Sequence, residues 1–409
     1  MDTERLRSYA RLIARKGVNI QSGQEVIIQC EPDQTDFICI LTEECYLAGA
    51  GRVIVDMGMQ ELTKLHVKYR SLEDLSTLSD WEEARYIHYT KSLPCRIRIM
   101  SEDPDGLRDM DQGKLARSRQ ELYRVTKKYT DEIENRYQWC IAAVPGKAWA
   151  KKIYPSLPED EAIEKLWDDI LYTSRVTDDP LSAWDEHNRE LEARCRYLNS
   201  LDIVRLRYSS SNGTDFCVGM IDEAEFKGGG EYSLQNIFFD PNIPTEEVFI
   251  SPKRGEAEGI VYATKPLSYQ GQLIENFSVR FEHGKAVEVR AEKNRELLET
   301  IISMDEGAAY LGECALVPHD SPISNSGILF YNTLFDENAS CHLALGRGFA
   351  DSLKDYSRYS LEEARELGIN DSMIHVDFMI GSADLSIDAE LRDGSTVAVF
   401  RGGNWAFDI

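Results

Sequence analysis

Several features that define large protein classes are missing from this chain of 409 residues. It contains no Cys-x-x-Cys pair and no Gly-x-Gly-x-x-Gly string, which argues against a zinc ribbon and a Rossmann dinucleotide site. No stretch approaches the roughly 18 uninterrupted apolar residues that a membrane-spanning helix needs. The sequence therefore predicts a globular protein without a membrane partner.

Basic residues are also scarce. The chain has 46 Lys and Arg against 71 Asp and Glu, which gives a net charge of −25. Phosphate groups would be repelled by this charge, so nucleic acids and anionic membrane surfaces are disfavoured as partners. A cationic group, such as the free α-amine of a peptide, is better tolerated.

Cysteine is present in an odd number, nine, scattered from Cys30 to Cys341. This distribution indicates reduced, buried thiols and not a disulfide framework. Residues 1–7 run directly into an amphipathic pattern and lack the apolar core and cleavage site of a signal peptide. We therefore expect a cytoplasmic location.

The length exceeds the roughly 250 to 300 residues at which single hydrophobic cores usually stop growing, so two domains are expected. In the first half, strand patterns alternate with helix patterns, which predicts an N-terminal α/β domain (1–203) whose mainly parallel sheet is flanked by helices. The strand patterns lie at 24–30, 52–56, 95–100 and 139–144, and the helix patterns at 35–47, 64–69, 114–129, 159–173 and 180–198.

The second half is rich in strand patterns, which predicts a mixed α+β C-terminal domain (204–409). These patterns lie at 202–208, 215–220, 259–263, 271–281, 285–291, 375–380 and 396–400. No Pro- or Ser-rich linker separates the halves, so we expect a packed boundary.

Only seven histidines occur, and two of them, His342 and His375, stand within clusters of carboxylates. His375 and Asp377 are two apart in a strand pattern, so both side chains emerge on one face and can converge on a metal ion. Taken alone this pair is weak evidence, because a polar strand edge produces it by chance.

Glu337 and His342 are five apart, which does not place them on one face of a continuous helix. We predict that Glu337 lies in a loop entering a helix that begins near His342, since Asp336, Asn338 and Ser340 favour turns and caps. The alternative is an N-terminal cap with a solvated carboxylate.

Two further carboxylates, Glu247 and Glu313, lie in apolar or constrained surroundings, where a lone charge is costly unless it is paired or binds a cation. Six candidate ligands result, suited to zinc, cobalt, manganese or magnesium. With one bridging carboxylate they can serve two ions about 3.5 to 4 Å apart. They are Glu247, Glu313, Glu337, His342, His375 and Asp377.

The same strings resemble the thermophilic aminopeptidase family, peptidase family M29. The matching segments are Asn242-Ile-Pro-Thr-Glu-Glu-Val-Phe249, Leu311-Gly-Glu-Cys-Ala-Leu-Val317, Asp336-Glu-Asn-Ala-Ser-Cys-His-Leu-Ala-Leu-Gly346 and His375-Val-Asp-Phe-Met-Ile-Gly-Ser382. Further matches at 9–26 and 400–406 extend the resemblance over nearly the whole chain.

The resemblance implies a metal-dependent aminopeptidase that removes N-terminal residues from short peptides. It implies that the six side chains bind two divalent ions per subunit. Glu313 resembles the family's bridging ligand. It also implies a homodimer whose site opens on an enclosed cavity in the C-terminal domain. Glu246 and Glu337 are the candidates for a carboxylate that shuttles a proton to the leaving amine.

One departure concerns Phe349, which stands seven residues after His342 where the family pattern usually has tyrosine. If the missing hydroxyl stabilises the tetrahedral intermediate, its loss costs activity by ~10²-fold or more. Tyr356 or Tyr359 are possible replacements. Two alternatives therefore stay open: a different two-metal hydrolase, and a binding or scaffold protein that has lost turnover.

Overall fold

The fold is described from a computed structural model, which describes residues 2–409. The helices are α1 (Thr3–Leu12), α2 (Thr35–Ala48), α3 (Gln60–Tyr69), α4 (Leu72–Leu75), α5 (Asp80–Ser92), α6 (Gln112–Ile133), α7 (Lys147–Ile153), α8 (Glu159–Thr173), α9 (Pro180–Asn199), α10 (Arg295–Ile302), α11 (Pro322–Asn325), α12 (Thr333–Asp336) and α13 (Leu361–Leu367).

The strands are β1 (Glu25–Cys30), β2 (Arg52–Met57), β3 (Cys95–Met100), β4 (Trp139–Ala143), β5 (Ile203–Ser209), β6 (Asp215–Met220), β7 (Lys227–Gly228), β8 (Glu231–Tyr232), β9 (Phe238–Phe239), β10 (Val248–Ile250), β11 (Pro252–Tyr262), β12 (Leu267–Tyr269), β13 (Gln272–Glu282), β14 (Lys285–Lys293), β15 (Leu311–Leu316), β16 (His342–Gly346), β17 (His375–Met379), β18 (Ser386–Leu391), β19 (Thr396–Arg401) and β20 (Asn404–Trp405).

The chain forms two compact units. One comprises the residues up to Asp185 together with 230–244, and the other comprises 186–229 and 245–409. Segment 230–244 is held to the first unit by backbone bonds: Asp240 N–H donates to Lys16 O at 3.0 Å, and Ile141 N–H donates to Pro241 O at 2.7 Å. The limits of these units differ from the predicted boundary between residues 203 and 204. That boundary stays a prediction.

The first unit contains a four-stranded parallel sheet in the order β2-β1-β3-β4. Val26 and Ile28 of β1 are fully buried, as expected for a parallel strand covered on both faces. Helix α2 ends at Gly49, whose φ of 113° requires the freedom of glycine. The prediction of a mainly parallel α/β sheet flanked by helices is confirmed, although helix α5 was not predicted.

The second unit is built on antiparallel sheets. The larger has nine strands, ordered β12-β13-β11-β6-β5-β18-β19-β20 with β14 beside β13, and the smaller has the order β17-β16-β15-β10-β7. The mixed character predicted for this half is confirmed. Strands β10, β15, β16 and β18 were among those not predicted. Of these, β15 and β16 are buried at every position and so lack the alternation that predicts a strand.

Among residues 2–409, the structure contains no helix that is both long and apolar enough to cross a lipid bilayer.

Candidate metal centre

The smaller sheet of the second unit brings four of the six predicted ligands onto one face. Ala344 of β16 pairs with Glu313 on one side and with Asp377 on the other. Residues directly opposite share a face, as do residues two apart along a strand. Glu313, His342, His375 and Asp377 therefore project from the same face, and the small Ala344 leaves space between the two carboxylates.

The opposite face of these strands is part of the main apolar core. The alternate residues of β15, β16 and β17 are buried in one cluster, namely Cys314, Leu316, Leu343, Leu345, Val376 and Phe378. Large buried side chains on one face hold the strands in a fixed position. The polar face is thus attached to a rigid support.

The predicted helix beginning near His342 is wrong. His342 opens strand β16, and Glu337–Ala339 is a short 3-10 turn that follows α12. Asp336 does not cap a later helix; its carboxylate accepts bonds from Phe330 N–H at 2.8 Å and Asn332 N–H at 3.0 Å. The side chains of Leu343 and Leu345, two residues apart, both lie in the core, which is the pattern of a strand. This pattern outweighs the local preference of the preceding residues for a helix cap.

The ligand atoms form two groups that have Glu313 in common. In one group Glu247, Glu313 and His342 offer atoms that all lie within 4.8 Å of one another, and Glu313, His375 and Asp377 do so in the other. Nε2 of His342 lies 3.2 Å from Oε2 of Glu247. Nε2 of His375 lies 3.1 Å from both Glu313 Oε2 and Asp377 Oδ1. Glu313 is thus the candidate ligand that contacts both groups.

Both imidazoles are oriented by backbone carbonyls. Nδ1 of His342 lies 3.2 Å from Ser340 O, and Nδ1 of His375 lies 2.8 Å from Arg347 O. A carbonyl oxygen only accepts hydrogen bonds, so each Nδ1 carries the proton and each Nε2 faces the carboxylates. Metal-binding histidines are typically held in this way.

The buried carboxylates of the cluster disfavour one another's ionised forms. Burial, reinforced by the charges of Glu247 and Asp377, raises the pKa of Glu313 to about 7 despite its contact with His375. Burial and the neighbouring carboxylates raise the pKa of Glu337 well above its ordinary value. Like charges at such short range are unfavourable unless a cation lies between them.

The pKa values of both histidines are raised, although burial by itself would lower them. Burial lowers the pKa of His342, yet the hydrogen bond to Glu247 and the surrounding carboxylates outweigh it and raise the pKa to about 10. In addition, Oδ1 of Asp377 is buried, and Nε2 of His375 lies 3.1 Å from it. Crowded carboxylates and two oriented imidazoles fit a divalent metal ion.

Glu337 belongs to neither ligand group within the described residues 2–409, but it lies beside them. Its carboxyl group shares a hydrogen bond with Asp377 and accepts one from Asn338 Nδ2 at 3.4 Å. Oδ1 of Asn338 also accepts from the backbone N–H of Glu246 at 2.7 Å. Asn338, which the sequence indicated only as a residue that favours turns and caps, therefore ties the loop carrying Glu337 to the loop carrying Glu246 and Glu247.

Glu246 is buried next to Glu247 and contacts a histidine that the sequence did not indicate. Nε2 of His187, on helix α9, lies 3.9 Å from Oε2 of Glu246 and donates to the carbonyl of Thr245 at 2.8 Å. His187 lies 58 residues before Thr245 on a polar helix, and no local signal links the two segments. Only the fold brings this histidine to the centre.

Phe349 lies at the centre, where the tyrosine was expected. Its ring centroid is 4.9 Å from that of His375 and 5.7 Å from that of Phe249. Its backbone N–H donates to Ser251 Oγ at 2.8 Å. Tyr356 and Tyr359, considered as replacements, instead pack against a small apolar cluster around Leu353.

Comparison with known proteins shows what the whole chain is similar to. A sequence model of the thermophilic metalloprotease family (M29) matches residues 2–405. Aminopeptidase AmpS of Bacillus subtilis (strain 168) is 38% identical over 407 residues, covering 99% of each chain. Aminopeptidase T of Thermus aquaticus is 37% identical over 407 residues, covering 98% of each.

A solved structure is similar over the same extent. Wild-type AmpT from Thermus thermophilus superposes with a TM-score of 0.88 and 36% identity, covering 99% of both chains. The family model and this structure both match nearly the whole chain. The chain therefore belongs to the thermophilic metalloprotease family M29.

Proposed function

We propose that this protein is a two-metal aminopeptidase that removes N-terminal residues from short peptides. The observation that carries the proposal is Glu313, which is common to two groups of ligand atoms each within 4.8 Å. A site in which two metal ions lie close together is the arrangement found in aminopeptidases and phosphatases. The relatives named above are aminopeptidases, which favours the peptide bond as the substrate.

In this proposal Glu247, Glu313 and His342 would hold one divalent ion, and Glu313, His375 and Asp377 would hold the other, with Glu337 adjacent. Divalent ions supply Lewis acidity, which polarises a carbonyl and lowers the pKa of bound water. Zinc, cobalt, manganese and magnesium are all compatible with oxygen and imidazole ligands. The carbonyls of Ser340 and Arg347 keep each Nε2 directed at the cluster.

Glu246 is the favoured proton shuttle. It is buried, lies outside both ligand groups of the described residues 2–409, and is held by the Asn338 bond to its backbone. His187 faces its carboxylate at 3.9 Å, which supports a fixed position for the group. Glu337 remains the second candidate, although its hydrogen bond with Asp377 favours membership of the ligand set.

The proposal is tested by following release of N-terminal residues from unblocked and N-acetylated dipeptide and tripeptide amides. Metal-free protein is compared with protein given Zn²⁺, Co²⁺, Mn²⁺ or Mg²⁺. We expect metal-dependent cleavage of the unblocked peptides alone, because acetylation removes the basic amine. Equal cleavage of acetylated peptides would instead indicate another two-metal hydrolase.

A second candidate is a catalytically weakened homologue, favoured by the contact between Phe349 and His375. Phe349→Tyr places a hydroxyl beside that imidazole, and if the hydroxyl stabilises developing charge, kcat/KM rises by ~10²-fold. Phe249→Tyr is the matched control, because its ring contacts Phe349 and adds the same group. An inert wild type made active by Phe349→Tyr supports weakened catalysis, whereas a fully active wild type refutes it.

The cellular setting belongs to the same proposal. Within residues 2–409 all nine cysteines are free, and most are buried, as expected in a reducing compartment. We therefore propose a cytoplasmic enzyme. Resemblance to the family supports a homodimer, and the acidic surface gives no reason to propose a nucleic acid or membrane partner.

A further inference from the structure

A cleft of about 540 Å³ opens in the first unit at the carboxyl ends of β1, β2 and β3. The sheet order β2-β1-β3-β4 places β2 on one side of β1 and β3 on the other, so the chain reverses its direction of progress there. In open α/β sheets ligands bind beyond the strand ends at this reversal. The volume suits a small molecule.

Charged side chains of both signs line the cleft in equal number. Arg85 is paired with Asp56, and Arg98 is paired with Glu102. A nucleotide would face three carboxylates and a polyamine would face three guanidinium groups, so both are disfavoured. The six are Glu31, Asp56, Arg85, Arg98, Glu102 and Arg119.

Glu31 differs from the residues of these two ion pairs. It follows the last residue of β1 and is partly buried, yet its carboxylate has no ion pair or hydrogen bond within residues 2–409. Burial, together with the charges of Glu102 and Asp33, raises its pKa to about 7. An unpaired carboxylate in a cleft is unfavourable, and a ligand ammonium group would relieve it.

The turn after β1 is unsuited to phosphate. Pro32 opens the 3-10 turn Pro32–Gln34 and lacks a backbone N–H, and Glu31 and Asp33 flank it with negative charge. Nucleotide sites at this position instead use glycine-rich loops with free N–H groups. Met57 and Met59 line the same cleft and are 52% and 41% exposed, which provides an adaptable apolar wall.

We propose that this cleft binds a small zwitterion of the α-amino acid or dipeptide class. The ammonium group lies against Glu31, the carboxylate against Arg98, and an aliphatic side chain against Met57 and Met59. Arg98 is suitable because its side chain is 50% exposed and acts electrostatically on Glu31. The proposal rests on the first unit alone and is independent of the chemistry at the metal centre.

The test uses the full chain, stripped of metal by chelation and labelled with ¹³C at the methionine methyl groups. The signals of Met57 and Met59 are assigned with Met57→Leu and Met59→Leu, and L-leucine is the probe. We expect both signals to shift saturably. N-acetyl-L-leucine and L-leucinamide, which each lack one charge, should bind about tenfold or more weakly.

Substitutions localise the two charge contacts. Glu31→Gln should weaken L-leucine binding by about tenfold or more, whereas Glu73→Gln, which removes an exposed carboxylate on α4, should not. Arg98→Gln should weaken L-leucine binding but leave L-leucinamide binding unchanged, which also shows that the variant is folded. Unmoved Met57 and Met59 signals, equal binding of the acetylated probe, or tighter binding of inorganic phosphate would overturn the proposal.

Discussion

Among single residues, Glu313 has a distinct position because both ligand groups include it. Strand β15 is buried along its whole length. A carboxylate is tolerated in it because the Glu313 side chain lies on the polar face of the sheet. In the proposed two-ion site Glu313 would contribute to both ions, whereas each histidine would contribute to one. Loss of Glu313 should therefore be the most damaging single change at the centre.

We predict that Glu313→Gln abolishes binding of at least one ion and lowers kcat/KM by more than ~100-fold, since even outer partners of metal ligands are worth 10- to 100-fold. Metal content after dialysis, measured by plasma mass spectrometry, and peptide hydrolysis provide the two readouts. Glu296→Gln on the exposed side of α10 is the control for charge removal. Retention of two ions by Glu313→Gln would disprove the shared-ligand assignment.

The raised pKa values predict how metal binding depends on pH. In metal-free protein Glu313 keeps its proton up to about pH 7, and His342 keeps a second proton up to about pH 10. A metal ion has to displace these protons, so affinity should rise as the pH rises and protons should be released. Because the pKa values of Glu313 and His342 both lie above their ordinary values, metal affinity rises with pH over this range.

Calorimetric titration of Co²⁺ into metal-free protein, in buffers of different ionisation enthalpy, measures the released protons directly. We expect Kd to fall steadily from about pH 6 to about pH 8. The same titration of Glu313→Gln should release fewer protons. An affinity independent of pH would contradict the prediction.

At the scale of elements, the contact between β15 and β16 depends on a glycine next to Glu313. A methyl group built on Gly312 would lie 2.1 Å from the carbonyl oxygen of Arg347, and the strand register shifts between Leu311 and Glu313. The same Arg347 carbonyl orients His375. The close approach of Gly312 to the Arg347 carbonyl thus helps to position two candidate ligands, Glu313 and His375.

Gly312→Ala should lower the free energy of unfolding by about 1–3 kcal/mol, the usual consequence of overpacking, and should weaken metal binding. Urea unfolding of metal-free protein measures the first effect and metal titration the second. In the control, Gly113→Ala, the added methyl meets Asp111 at an ordinary 3.5 Å near the start of α6. Equal stability of the two variants would show that β15 shifts without penalty.

At the scale of the whole molecule, we predict self-association. The family resemblance implies a homodimer, and the first unit exposes large apolar side chains such as Leu65 and Tyr69 on α3, a feature that often marks contact surfaces. Sedimentation equilibrium should give twice the chain mass of 46.6 kDa. A mass of one chain at every concentration would contradict the prediction.

The sequence alone determined those properties that depend on residue type and short-range period. The alternation of apolar strands with helical patterns was sufficient for the parallel sheet of the first unit, because such strands are local runs buried on both faces. The six candidate ligands were predicted from residue type together with the resemblance to the family, and their role stays a prediction; they are Glu247, Glu313, Glu337, His342, His375 and Asp377.

Only the tertiary structure decided how these residues meet. A period of two shows which side chains share a face but not which strand lies alongside, so the pairing of Ala344 with Glu313 and Asp377 required the folded sheet. The cap-like residues before His342 favoured a helix locally, and burial of Leu343 and Leu345 made it a strand. The contacts of His187 and Asn338, and the return of 230–244 to the first unit, join segments far apart in the chain, where no local pattern operates.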